Sequence, residues 1–146
     1  MIKRETDYAI RTVLCLARSL AAGDSERVST EELSHHTGVP YRFLRKIVLK
    51  LVRAGIVESR RGKNGGLLLG RSPRDISLLD LMQVVEPESV LLNQCMVPDS
   101  MPCQHQHSCG LHKALGKIQF SLQRDMADVS LMDMTLPQSA SAIVHQ

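Results

Sequence analysis

Cys95, Cys103 and Cys109 fall within one short stretch, separated by seven and then five residues, and His112 stands three residues after the last. Thiolates bind soft metals and iron–sulfur clusters, and a neutral imidazole can complete a coordination sphere. The gaps exceed the two-residue spacing of zinc ribbons and ferredoxin runs. They suit a loop that draws distant sulfurs around a larger object such as an iron–sulfur cluster, and Pro98 and Pro102 oppose a regular helix between the first two sulfurs. Zinc, a redox disulfide or idle thiols are the other fates open to such a trio. His105 and His107 are further ligand candidates in the same loop. Cys15 differs, because it lies in an apolar helical run where a lone cysteine is ordinarily a small buried hydrophobe.

The elements that must position these groups begin with an uneven distribution of charge. Residues 40–74 carry ten Lys and Arg against one acid, Glu58, a net +9, whereas residues 1–39 sum to −1 and residues 75–146 to −5. A basic segment between two acidic ones is better explained by a polyanionic partner than by solubility. With no tryptophan and 3% aromatic residues, a single-strand mode built on base stacking is disfavoured. The chain has 146 residues, enough for one domain with a helical extension and a real core. No long apolar span or secretory leader is apparent, so a soluble cytoplasmic protein without a membrane partner is expected, in a reducing compartment that favours metal or redox chemistry at cysteine.

Ile10, Val13, Leu14, Ala17 and Leu20 recur at helical spacing, and the pattern predicts a first helix over residues 7–22, capped by Thr6 and ended by Gly23. Ser29-Thr30-Glu31-Glu32 fits a capping box at the start of a second helix. Thr37-Gly38-Val39 is a turn, and a third helix runs from Pro40 to Ala54 with Gly55 as a left-handed cap. A short helix, a glycine turn and a basic helix have helix-turn-helix anatomy, in which the N-terminal residues of the second helix meet base edges in the major groove. Tyr41, Arg42 and Arg45 are best placed for bases, with Lys46, Lys50 and Arg53 directed to phosphates or water. Residues 56–60 and 67–69 read as strands joined by Arg61-Gly62-Lys63-Asn64-Gly65-Gly66, a wing whose Arg60, Arg61 and Lys63 would lie along the DNA backbone or minor groove. No phosphate-loop lysine follows these glycines, which argues against nucleotide binding. Ser77 caps a short helix to about Val85, stopped by Glu86-Pro87. Beyond the cysteines, Leu111, Leu115, Ile118, Leu122, Met126 and Val129 form a stripe suited to packing another helix.

Thr6-Asp7-Tyr8-Ala9-Ile10-Arg11, the wing hexapeptide, Ile76-Ser77-Leu78-Leu79-Asp80 and the three cysteines together resemble the Rrf-type winged-helix transcription regulators over about residues 1–134. The resemblance implies a homodimer on an imperfect DNA palindrome, with a 2Fe-2S or 4Fe-4S cluster held by Cys95, Cys103 and Cys109 of each protomer. In IscR-type members a histidine three residues after the last cysteine is the fourth ligand, which corresponds to His112. In NsrR-type members an aspartate near the N-terminus of the partner subunit takes that place, which corresponds to Asp7. Two departures stand out: the gap from Cys95 to Cys103 is longer than is typical of either type, and Arg45 occupies a recognition-helix position that is acidic in IscR. An arginine there favours guanine edges over a cytosine amine.

The expected fold is mainly α with a small β-wing: a winged helix-turn-helix over residues 1–86, a cysteine-rich cluster loop over 87–110, a dimerisation helix and its end over 111–134, and a poorly ordered tail over 135–146. The expected function is a DNA-binding transcription regulator, a repressor, whose operator binding is controlled by an iron–sulfur cluster sensing nitric oxide, iron status or redox state. A zinc-binding or thiol-redox regulator of the same fold is the alternative. An enzyme is not expected, since the chain has no CxxC motif, phosphate loop or paired carboxylates.

Overall fold

Four N-terminal helices and a two-stranded wing close around one apolar core in the computed structural model, which describes residues 3–23, 27–97 and 103–135. Helix α1 spans Arg4–Ala21, α2 Thr30–Thr37 and α3 Tyr41–Arg53. Strands β1, Val57–Arg60, and β2, Gly66–Leu69, pair antiparallel with Val57 opposite Leu69 and Arg60 opposite Gly66. Helix α4 is Leu78–Val85, α5 is Gly110–Asp128 and α6 is Leu131–Thr135. Pro98, Pro102 and residues 136–146, where a helix-breaking loop and a tail are expected, lie outside the described residues.

Thr6 does not cap the first helix. That helix begins three residues earlier than expected, at Arg4 behind Lys3, and Thr6 is fully buried with its hydroxyl donating to Glu86 Oε2 at 2.7 Å. The buried face of α1 is Thr6, Ala9, Thr12, Val13, Leu16 and Ala17, whereas Leu20 is exposed. Thr12 can enter the core because its hydroxyl donates to the Tyr8 carbonyl one turn back, which satisfies the polar group locally.

The capping box of α2 forms as its sequence requires: the Glu32 N–H donates to the Ser29 hydroxyl at 3.1 Å and the Ser29 N–H donates to the Glu32 carboxylate at 2.8 Å. Those bonds hold the Glu32 carboxyl below its ordinary range. Gly38, at φ 69°, makes the left-handed turn that releases the chain toward α3. Pro40 caps α3 from outside rather than opening it. Leu44, Ile47, Val48 and Leu51 of α3 are buried. In the wing, Gly66 stands at φ 135°, and a Cβ there would meet Arg27 Cβ at 2.9 Å, so only glycine fits. Val28 adds a bridge to Leu67, with bonds of 3.1 and 2.8 Å, a pairing that no local pattern announces.

The chain after α5 returns to the core. Leu78 N–H donates to the Val129 carbonyl and Leu131 N–H to that of Ile76, and Leu131 is fully buried. Residues 131–135 therefore complete the winged-helix core beside α1, where an end of the dimerisation helix is expected, and Thr135 closes α6 rather than opening a tail.

Candidate DNA interface and cysteine centre

Two surfaces stand out. The first is the outer face of α3 with the wing. Tyr41, Arg42, Arg45 and Lys46 are all exposed, and the guanidinium of Arg45 lies 6.0 Å from the centre of the Tyr41 ring, a cation–π distance that aligns the two side chains. Arg61 and Lys63 are exposed at the wing tip. The one acid of the basic segment, Glu58, is engaged by Arg27 at 2.7 Å and by Arg60 at 3.6 Å. Its carboxyl is held below the usual range, first by the Arg27 hydrogen bond. Among the described residues, no carboxylate pairs with Arg42, Arg45, Lys46, Arg61 or Lys63.

Lys50 does not belong to that face. Its ammonium donates to Glu5 Oε2 at 2.9 Å and to the Val85 carbonyl at 2.8 Å, so it ties the recognition helix to α1 and to the end of α4. Helical spacing alone cannot distinguish this inward flank of α3 from the outward one.

The second surface is the loop before α5. Cys95 Sγ lies 3.3 Å from His112 Nδ1, and the His112 N–H donates to Cys109 Sγ at 3.4 Å, so Cys109 is the N-cap of α5. Cys95, Cys109 and His112 thus meet at the start of one helix. Cys103 is exposed, as are His105 and His107, and among the described residues no hydrogen bond joins them to the other two sulfurs. All three thiols are free. Among the described residues, no group of three or more His, Cys, Asp and Glu side chains is gathered to hold a metal ion. The donors nonetheless suit an iron–sulfur group by kind: unpaired thiols, accessible or half-buried, with an imidazole already facing one of them. Asp7 lies on α1, half-exposed, with its carboxylate on Arg11 at 2.9 Å.

Gln119 is a residue beside the cysteine centre that sequence patterning misses. It is the one residue of α5 that is buried, and it accepts from the Leu92 N–H and donates to the Val90 carbonyl, both at 2.8 Å. A signal was available: Gln119 lies four residues from Leu115 and seven from Met126, the half-buried flank of the apolar stripe. The pair of bonds holds the backbone a few residues before Cys95. Replacing Gln119 by Leu leaves a buried carbonyl and an N–H unpaired, at a cost of about 1–3 kcal/mol. The expected result is faster amide exchange at Leu92 and faster alkylation of Cys95, with Cys103 unchanged. Unaltered exchange at Leu92 would show that this clamp does not hold the loop.

Residues 2–136 match the Rrf2 family, described as iron-dependent transcriptional regulators. The chain is 30% identical over 129 residues to the HTH-type transcriptional repressor NsrR of Streptomyces coelicolor, covering 88% of this chain and 84% of that protein. Its fold is that of CymR, the global cysteine regulator of B. subtilis, with a TM-score of 0.69 at 21% identity over 92% of this chain and 95% of the other. IscR of T. potens matches with a TM-score of 0.68 at 23% identity over 92% and 85% of the two chains. No helix among the described residues is long and apolar enough to cross a membrane.

Proposed function

The chain belongs to the Rrf2 family of DNA-binding transcriptional regulators, which are not enzymes, and on that premise we propose that it is a repressor whose operator binding is set by an iron–sulfur cluster. Helix α3 enters the major groove of double-stranded DNA with Tyr41, Arg42 and Arg45 at base edges. Lys46, Arg60, Arg61 and Lys63 hold the phosphate backbone. Cys95, Cys103 and Cys109 hold a 2Fe-2S or 4Fe-4S group, and His112 or Asp7 of the partner subunit completes its sphere. When bound, the cluster supplies a group sensitive to nitric oxide, iron supply or redox state. The chain's own part is to gather the thiols at the start of α5 and to carry their arrangement to α3.

The observation that carries the DNA reading is the uncompensated basic face: Glu58 is occupied by Arg27, while Arg42, Arg45 and Lys46 of α3 and Arg61 and Lys63 of the wing tip are exposed without acidic partners among the described residues. The cluster reading draws on the family resemblance and on the meeting of Cys95, Cys109 and His112.

Fluorescence anisotropy on an operator duplex and a scrambled one tests the division of labour. Arg45→Ala is expected to lose about 1–3 kcal/mol on the operator and to relax preference at one base pair, because a bidentate contact to a guanine edge is lost. Lys63→Ala should weaken both duplexes alike and lessen the salt dependence, as a phosphate contact would. If Arg45→Ala weakens the scrambled duplex as much as the operator, Arg45 is not a base reader.

A further inference from the structure

Between α1 and α2 lies an open cavity of about 510 Å³ that neither the DNA face nor the cysteine centre uses. Arg11, Leu14, Cys15 and Arg18 of α1 line one side, and His36 and Thr37 of α2 the other. The volume is within the range of small-molecule sites. Arg11 and Arg18 are seven residues apart, two helical turns on one face and about 10 Å along the axis. Leu14 and Cys15 lie between them as an apolar floor, both half-buried. Cys15, a small buried hydrophobe by its helical run, is half-buried here and packs against the core. Burial pushes its thiol up, partly offset by the Arg18 guanidinium, which suits a neutral wall better than a nucleophile.

We propose that this cavity binds a small organic dicarboxylate, one carboxylate on Arg11 and the other on Arg18, with a short apolar chain over Leu14 and Cys15. Guanidinium forks match carboxylates in geometry as well as charge. His36 faces the ligand from α2, the first helix of the helix-turn-helix, whose Ser34 hydroxyl bonds the Val39 carbonyl at 2.7 Å just before α3. Occupancy would thus brace α2 against α1. The ligand would also compete for Arg11, which now holds Asp7 at 2.9 Å. The cavity is then a second input, a metabolite signal alongside the cysteine centre. Its effect on operator affinity rests on the DNA-binding reading; its binding of ligand does not.

The test uses the full chain and three probes in calorimetric titration: adipate, hexanoate and inorganic phosphate. Adipate should bind saturably and slow the alkylation of Cys15, read by site-resolved mass spectrometry, while Cys103 reacts at its original rate. Hexanoate, with one carboxylate on a chain of equal length, should bind about tenfold more weakly or worse, and phosphate likewise. Arg18→Gln, an exposed change, should lose both the binding and the protection of Cys15. The proposal is overturned by the absence of saturable adipate binding, by phosphate or hexanoate binding as well as adipate, or by an Arg18→Gln variant that binds like the parent. The comparison of adipate with hexanoate needs no variant, so it stands even if Arg18→Gln folds poorly. If adipate binds as expected and operator affinity does not change, the site holds and its role in DNA binding fails.

Discussion

Replacing any one of Cys95, Cys103 and Cys109 by alanine is expected to abolish iron–sulfur binding and to change operator affinity on the order of tenfold. A series of contacts connects the cysteine loop to the recognition helix. Cys109 caps α5 and Cys95 faces His112, so both sulfurs bear on the first turn of that helix. Gln119 fixes residues 90–92 against the same helix. The loop begins at Glu86, which holds Thr6 and Lys3 of α1, and the carbonyl just before it, that of Val85, takes the Lys50 ammonium of α3. A change in how the thiols are held is therefore expected to reach α3 through the buried Thr6 and Val85 and the half-buried Glu86 and Lys50. A two-state shift is limited by the affinity difference between its states, and half-sites that must stay in register make a small displacement costly. Anaerobic purification with visible spectroscopy and iron and sulfide counts gives the first readout, and anisotropy with and without the cluster the second. His112→Ala or Asp7→Ala should destabilise the cluster, but not both. Protein that stays colourless and iron-free after reconstitution would end the cluster reading, and bound zinc would then favour the zinc-regulated alternative. Equal operator affinity with and without the cluster would end the switch.

Elements governed by neighbours in sequence are the legible part of this fold. The Ser29–Glu32 box, the Gly38 turn and the Ser77 cap are each decided within four residues, and each forms as its residues require. The Ser77 cap gains a reciprocal partner in Asp80. What escapes local reading is set by contacts across the chain. Val28 joins the wing through Leu67, α6 folds back beneath α1, and Lys50 is drawn from the DNA side by Glu5, forty-five residues away. Thr6 looks like a helix cap because threonine commonly is one; a carboxylate eighty residues further on claims its hydroxyl instead. At the cysteine centre the pattern identifies the donors but not their arrangement. Irregular backbone takes its shape from what it binds, and among the described residues the chain itself brings together Cys95, Cys109 and His112.

Substituting Ile118 and Leu122 together with lysine is expected to yield monomers that no longer bind the operator. The stripe on α5 divides in the structure: Leu115 and Met126 are half-buried, while Leu111, Ile118 and Leu122 remain 62%, 56% and 39% exposed. Gln119 occupies the inward position between Leu115 and Met126, bonded to residues 90 and 92 of its own chain, which leaves the outward side chains without a partner among the described residues of the protomer. Burying each large aliphatic side chain is worth about 1.5–3 kcal/mol, so a second copy laid on this face gains from the same residues on both subunits, as a two-fold interface requires. Two recognition helices held by that axis reach half-sites about one helical turn apart, which a monomer cannot do. Because these side chains project outward, the substitutions should leave the fold of each protomer intact, and unchanged circular dichroism would confirm it. Light scattering on the double variant is the deciding measurement. A dimer of unchanged mass would place the interface on another face of the molecule, and a monomer that still binds the operator with full affinity would show that pairing through α5 is not what sets the two recognition helices in register.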